Sequence, residues 1–455
     1  MSYSFYSVLL VRHGREVNNV AEVYFHIDVN SAFLSWEACY RIYHKYAKVD
    51  LRTIPSVVGG NEDSRHGIVL AKSIPCKQYG IQTGESLMTA RKKCPSLTVV
   101  PGNSAVYERC SKALVALLHR YSDQVEQYSI DECFIRMTGM EKIWGDPLTA
   151  AYRIKDEIEY ELGFTVNVGI SSNKLLAKMA SEFKKPNKVH TLWPEEIEHK
   201  MWPLPVSELF YVGRQTAKQC ALLGIKSIGD LAKTELYTLR KHMKSHGELV
   251  WNYANGRDAN IITPISAPKN RGVGNSTTIP FDVYTIPMAN EIFLSLAESV
   301  GMRLRKENLR IDVVAISIKH AVIDKDTNEF KKVFHQLTLQ TATNITNEIY
   351  QCACRLFEGS WDGVTPVRAL GIHTSRAKDN IDYRQLSFVD VLGEVHEGDI
   401  NHVIDFEKME RSDLMVDHIR MRFGVDSIKR AILVKSRIES ISGGKIDVVP
   451  SRSRY

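Results

Sequence analysis

Apolar positions along this chain change period several times, and each change marks an element. Val23 to Val29 is a nearly unbroken apolar run and reads as a buried strand. Phe33, Trp36, Tyr40 and Tyr43 then recur at helical spacing within Ser31 to Tyr46. Residues 50–98 are rich in turn signals, namely Val57-Val58-Gly59-Gly60, Ile74-Pro75 and Tyr79-Gly80, around a strand at Ile68–Ala71 and a helix near Ser86–Lys93. Residues 104–122 have amphipathic helical spacing. A hairpin-like pair follows, Val125–Ser129 and Cys133–Met137, bent at Asp131-Glu132. After it come a helix from Leu148 to Leu162, a strand from Phe164 to Ile170 and a helix from Asn173 to Phe183.

Taken in order, the first half alternates strand–helix–strand–strand–helix–strand, the split βαβ or ferredoxin-like arrangement. Asp28 falls on its first strand and Asp131-Glu132 at the junction of two others, so neighbouring central strands would bring the three carboxylates together. Residues 203–262 change character to short helices joined by glycine turns, as in a helix-hairpin-helix. Their glycines expose backbone N–H groups near helix starts, which suits phosphate contact. Pro264 and Pro268 mark a linker over 264–270. A second α/β unit follows, with strands at Ile311–Ile318 and Val367–His373 and helices at Ala289–Lys306 and Thr343–Leu356. The tail, 380–455, holds an acidic helical segment and a basic end. Residues 1–21, of mixed polarity, read as a poorly ordered N-terminal extension.

At 455 residues, 44% apolar and 25% charged, the chain has globular composition and exceeds one core. No apolar run reaches the ~18–20 residues that span a bilayer, and the start lacks the pattern of a signal peptide. Eight scattered cysteines, of which only Cys352 and Cys354 are close, give no zinc signature and read as reduced thiols of a cytoplasmic protein. The net charge is +6, and Ser171–Ser245 alone holds 13 Lys+Arg against 7 Asp+Glu. Such a cluster fits either a phosphate backbone or a solvated helical face.

The carboxylates carry the chemistry. Asp28, Asp131 and Glu132 lie in apolar runs, where an isolated carboxylate is costly unless paired or bound to a cation. Converging, they would form a hard, oxygen-rich site suited to Mg²⁺. Two such ions roughly 3.5–4 Å apart are the usual device for in-line phosphoryl transfer.

These residues resemble the Y-family of DNA polymerases, the translesion enzymes, and within it the bacterial polymerase IV and V branch. The resemblance runs from about Val23 to about Asp390. It is carried by Phe25-His-Ile-Asp-Val-Asn-Ser-Ala-Phe33, Tyr128-Ser-Ile-Asp-Glu132, Val168-Gly-Ile-Ser-Ser-Asn-Lys-Leu-Leu-Ala177, Lys184-Lys-Pro-Asn187, Val212-Gly213 with Leu223-Gly-Ile225, and Gly274-Asn-Ser-Thr277. It implies an α+β multidomain protein, a right-hand polymerase. The ferredoxin-like palm would be 22–48 and 99–192, the small fingers 49–98, the helical thumb 193–263, and the α/β little finger 271–380. A tail would occupy 381–455.

What the resemblance implies for the site is specific. Asp28 and Asp131 bridge two Mg²⁺ ions, Glu132 completes the site, and the Val29 backbone carbonyl adds a ligand. Phe33, beside Ala32, stacks under the nucleotide sugar and excludes a ribose 2′-hydroxyl. Lys185 binds the triphosphate. Where the family has Tyr and, three residues later, Arg before the Tyr/Phe-Gly step, this chain has Ile74 and Lys77. Lysine meets phosphate only as a point charge, and isoleucine not at all. DNA contacts fall on Gly213, Arg214, Gly224, Arg271, Asn275, Ser276 and Thr277. Gln385, Leu386 and Phe388 resemble the peptide that holds the sliding clamp. The partners implied are primer–template DNA, dNTP and that clamp, around a monomer with no membrane. Two alternatives stay open: a catalytically weak DNA-binding relative with a regulatory or structural role, and a two-metal nuclease.

Overall fold

The structure, a computed structural model, describes residues 22–60, 67–258, 272–323, 330–379 and 397–434, of which 378–379 and 397–405 by backbone alone. The chain forms two compact units, one of residues 1–39 with 109–265, the other of 40–108 with 266–455.

The first unit is built on a five-stranded sheet in the order Val125–Gln127, Glu132–Arg136, Tyr24–Val29, Val166–Ser171, Val189–Thr191. The first four run antiparallel to their neighbours and the last is parallel. Every residue of Tyr24–Val29 and Val166–Ser171 is buried, although the second alternates Val166, Val168 and Ile170 with Asn167, Gly169 and Ser171. Helix Lys174–Ser181 packs on these two strands. It approaches so closely that a Cβ on Gly169 would lie 1.9 Å from the Ala177 carbonyl oxygen, so only glycine fits there. The expected ferredoxin-like order is present, and Val189–Thr191 extends it by one strand.

The rest of this unit is helical, with helices Arg214–Leu222, Ile228–Lys233 and Leu236–Ala254 around a core that includes Val212, Cys220, Ile228, Leu231, Leu239 and Val250. Ser227 and Asp230 form a reciprocal capping box at the second of these helices. The long third helix breaks at Lys244, where φ is +54°.

The second unit contains two sheets. In the smaller, Ser56–Gly59 is central, parallel to Thr98–Pro101 and antiparallel to Val69–Lys72. Val57-Val58-Gly59-Gly60, read above as a turn signal, is therefore largely strand. Burial of all four residues of Ser56–Gly59 outweighs the weak β-propensity of its glycine.

The larger sheet has the antiparallel order Phe330–Thr343, Leu309–Ile323, Val367–Ser375, Gly274–Val283. Helices Ile286–Lys306 and Thr346–Glu358 share its core. Leu309–Ile323 alternates buried and open residues along most of its length. Phe330–Thr343 is an edge strand open along most of its length, so no apolar period announced it. The C-terminal helix Glu397–Phe423 and the short helix Ala431–Val434 complete the described part of this unit. No helix among the described residues is long and apolar enough to cross a membrane.

Candidate active site

Register brings the first two carboxylates together. Asp28 lies directly opposite Glu132 on one neighbouring strand and opposite Asn167 on the other. Directly opposed residues hold their side chains ~5 Å apart on one face of the sheet. The turn before Glu132 is closed on its own backbone. The Tyr128 and Ser129 N–H groups donate to the Glu132 carbonyl at 2.9 and 3.2 Å, and the Val29 N–H donates to the Asp131 carbonyl at 3.1 Å.

One carboxylate oxygen each from Asp28, Glu132 and Glu182 lie within 4.8 Å of one another. Asp131 stands beside this group: its carboxylate accepts a hydrogen bond from the Ser129 hydroxyl at 2.7 Å. Glu182 was not anticipated. It follows Lys174 and Lys178 at intervals of four, a one-face helical spacing that could have revealed it.

Two lysines stand against these oxygens. Lys185 Nζ donates to Asp28 and forms an ion pair with Glu182 at 2.9 Å. Lys178, buried, donates to Glu132 Oε1 at 2.6 Å. Burial pushes the Asp28 carboxyl above its usual range, only partly offset by the Lys185 charge. Burial also works against the Lys185 ammonium, but Asp28 and Glu182 raise it above the ordinary lysine value. Burial, with the charges of Asp131 and Glu132, pushes the Cys133 thiol up to about 12.

A buried amide network fixes the segment that carries Lys185. Asn30 donates to Asn167 at 3.2 Å, and the Asn187 N–H donates to Asn30 Oδ1 at 2.9 Å. Asn167 in turn donates to the carbonyls of Ser181 and Lys184 at 3.0 and 3.1 Å. His26 lies fully buried in the same region, with Nδ1 2.7 Å from the Ser181 hydroxyl.

The donor set fits a hard divalent cation. It is made only of oxygens, without histidine or cysteine, and two ammonium groups already sit as cations on the same carboxylates.

The other expected residues are dispersed. Ala32 is buried and Phe33 half-buried at the start of helix Ala32–Lys45, the Phe33 ring 6.1 Å from that of Trp36. Lys77 is exposed on the short helix Ile74–Tyr79, as is Ile74. Gly213 and Arg214 are exposed at the start of helix Arg214–Leu222, and Gly224 turns with φ +77°. Ser276 is exposed on its strand, whereas Asn275 donates to the Ser299 hydroxyl at 2.7 Å and Thr277 is half-buried. Arg271, Gln385, Leu386 and Phe388 lie outside the described residues.

A solved Y-family DNA polymerase chimera aligns with a TM-score of 0.66 at 21% identity, covering 79% of this chain and 100% of that one. The fold class is therefore that of the right-hand Y-family polymerases. At the level of sequence, the chain is 41% identical over 420 residues to the DNA polymerase IV of Clostridium acetobutylicum, covering 91% of this chain and 99% of that protein. It is 35% identical over 416 residues to the DNA polymerase IV of Acetivibrio thermocellus, covering 91% and 98%. The impB/mucB/samB family matches residues 27–182, its C-terminal domain 270–388 and the family's HHH motif 194–225. The chain belongs to this family.

Proposed function

We propose that this chain is a template-directed DNA polymerase that extends a primer by nucleotidyl transfer and copies past damaged bases. The observation that carries the reading is the convergence of Asp28 and Glu132 from adjacent strands, with Lys185 on the Asp28 carboxylate. The cofactor is Mg²⁺, two ions, for which Asp28, Asp131, Glu132 and the Val29 carbonyl are the ligands. When bound, it supplies a lowered pKa at the primer 3′-hydroxyl and neutralises charge on the triphosphate.

Lys185 exchanges Asp28 for the triphosphate, since a flexible ammonium changes partners at little cost. Phe33, beside Ala32, lies under the sugar and excludes a 2′-hydroxyl. Lys77 adds a point charge toward the phosphates. Gly213, Arg214, Gly224, Arg271, Asn275, Ser276 and Thr277 take DNA phosphates, so affinity for primer–template falls steeply with salt. Gln385, Leu386 and Phe388 bind the sliding clamp.

In this reading 22–48 and 99–192 are the palm, 49–98 the fingers, 193–263 the thumb and 271–380 the little finger, of a cytoplasmic monomer. The Asp131→Ala protein should lose Mg²⁺-dependent primer extension and keep primer–template affinity. A wild-type protein that binds DNA and never extends a primer would make it a non-catalytic relative. Shortening of a labelled primer would make it a nuclease.

A further inference from the structure

Lys178 is the least explained charged group near the site. It is buried on helix Lys174–Ser181, its Nζ donates to Glu132 Oε1 at 2.6 Å, and two rings enclose it. The Nζ lies 5.5 Å from the centre of the Tyr128 ring and 5.3 Å from that of Phe210, within cation–π range. Phe210 is itself held on two sides. It stacks on Tyr253 with an interplanar angle of 8° and meets Tyr211 edge-on at 4.6 Å. Phe210 lies three residues before Gly213, in the turn that leads into helix Arg214–Leu222.

One turn earlier on the same helix stands a near-copy of this arrangement. Lys174 pairs with buried Glu126 at 2.7 Å and lies 5.0 Å from the centre of the Phe134 ring. Glu126 lies outside the carboxylate group of Asp28, Glu132 and Glu182. Helix Lys174–Ser181 thus carries two lysine–carboxylate–aromatic units, and of these one ends on a carboxylate of the site.

We propose that Lys178 is a positioning residue for Glu132, and that Phe210 fixes Lys178 from the side of the turn that carries Gly213. The inference rests on the polymerase reading above. An ammonium on Oε1 orients the carboxylate and leaves Oε2 for a cation, so losing it misdirects the ligand without removing it. Enclosure by Tyr128 and Phe210 limits the lysine to one partner. The helical part of the first unit thereby sets the geometry of a site built on the sheet.

The test uses full-length protein, six single variants and two double variants. Lys178→Met should lower the single-turnover rate of primer extension at least tenfold, raise the Mg²⁺ concentration giving half the maximal rate, and change the dNTP KM less than twofold. Lys178→Arg should recover at least a third of the rate, because guanidinium keeps both the ion pair and the ring contacts. Phe210→Leu should lower the rate several-fold, and adding it to Lys178→Met should cost little more. Lys174→Met, the internal control, should lower the melting temperature and leave the rate within twofold.

A readout without metal or substrate closes the argument. Melting temperatures of Lys178→Met, Glu132→Gln and the double variant should be non-additive. The inference is overturned if Lys178→Met extends primers at the wild-type rate, if Lys174→Met loses as much rate as Lys178→Met, or if the two melting effects simply add. If Asp28→Asn still extends a primer, the polymerase reading itself fails. If Asp28→Asn is inactive while Lys178→Met is normal, only the present inference fails.

Discussion

Two ionic networks in this molecule are built from different cations, and the difference separates the candidate site from a structural dock. In the first unit, Lys178 and Lys185 face Asp28, Glu132 and Glu182, so acid exceeds base. In the second, three arginines face three carboxylates. Arg305, 2% exposed, grips Asp417 through two nitrogens at 2.6 and 3.1 Å and Asp413 at 3.0 Å. Arg420 and Arg430 both close on Glu298. Arg305 also donates to the Asn344 carbonyl at 2.7 Å.

Guanidinium forks fix geometry, and this dock joins helix Glu397–Phe423 to helix Ile286–Lys306 in one arrangement. Ammonium groups do not fix geometry in that way, and Lys185 stays 29% exposed. A cluster short of positive charge, in which the more exposed Lys185 can leave, is what a site for incoming cations and phosphates requires. The balanced cluster has no such vacancy in its charge.

The largest expected effect breaks the comparison on the lysine side. Asp28→Asn should cut primer extension ~10³-fold or more, as loss of a group that stabilises developing charge does. Its metal-free melting temperature should hold or rise, because a buried carboxylate is removed. A fall of several degrees would mean that the cluster is structural after all.

Arg305→Ala should do the reverse. It leaves Asp413 and Asp417 buried without their partner, a loss of about 3–5 kcal/mol on chemical unfolding. Extension measured below the melting transition should stay near wild type. Lys185→Ala comes next. Losing one charge-assisted bond to phosphate should raise the dNTP KM roughly 10- to 100-fold, with partial recovery in Lys185→Arg. A change confined to kcat would remove Lys185 from nucleotide binding.

The smallest effect is on pH. Burial, then the charges of Lys178 and Lys185, holds the His26 ring well below its ordinary value. The unfolded chain takes up a proton below about pH 6.5 and the folded chain does not. The stability due to neutral His26 is therefore complete above that pH and is lost as pH falls, by up to about 1.4 kcal/mol per unit. Urea midpoints between pH 7.5 and 5.5 read this out. Replacement by Asn should flatten the curve, and an equal drop in that variant would assign the effect elsewhere.

Legibility from sequence followed burial. Tyr24–Val29, buried along its whole length, was visible as a nearly unbroken apolar run, and the helix after it as spaced aromatic residues. Phe330–Thr343 gave no such signal because an edge strand has neighbours on one side only. Ser56–Gly59 was misread because its Gly–Gly end looks like a turn until its partners on both sides are known.

The candidate site divides in the same way. Asp28 and Glu132 are conspicuous as charges in apolar surroundings. Glu182 and Lys178 are not, since lysines and glutamates on a helix usually face water.

The chain's order of residues thus determined the architecture, the acidic pair and the basic segment, because these depend on local period and composition. Only the folded chain decided which oxygens meet. That Asp28 pairs with Lys185 and that Glu182 joins the group depend on strand register and on how closely Gly169 lets a helix approach. Register is set by pairing between residues more than a hundred positions apart, Asp28 with Glu132 and Asn167, and no local pattern encodes it.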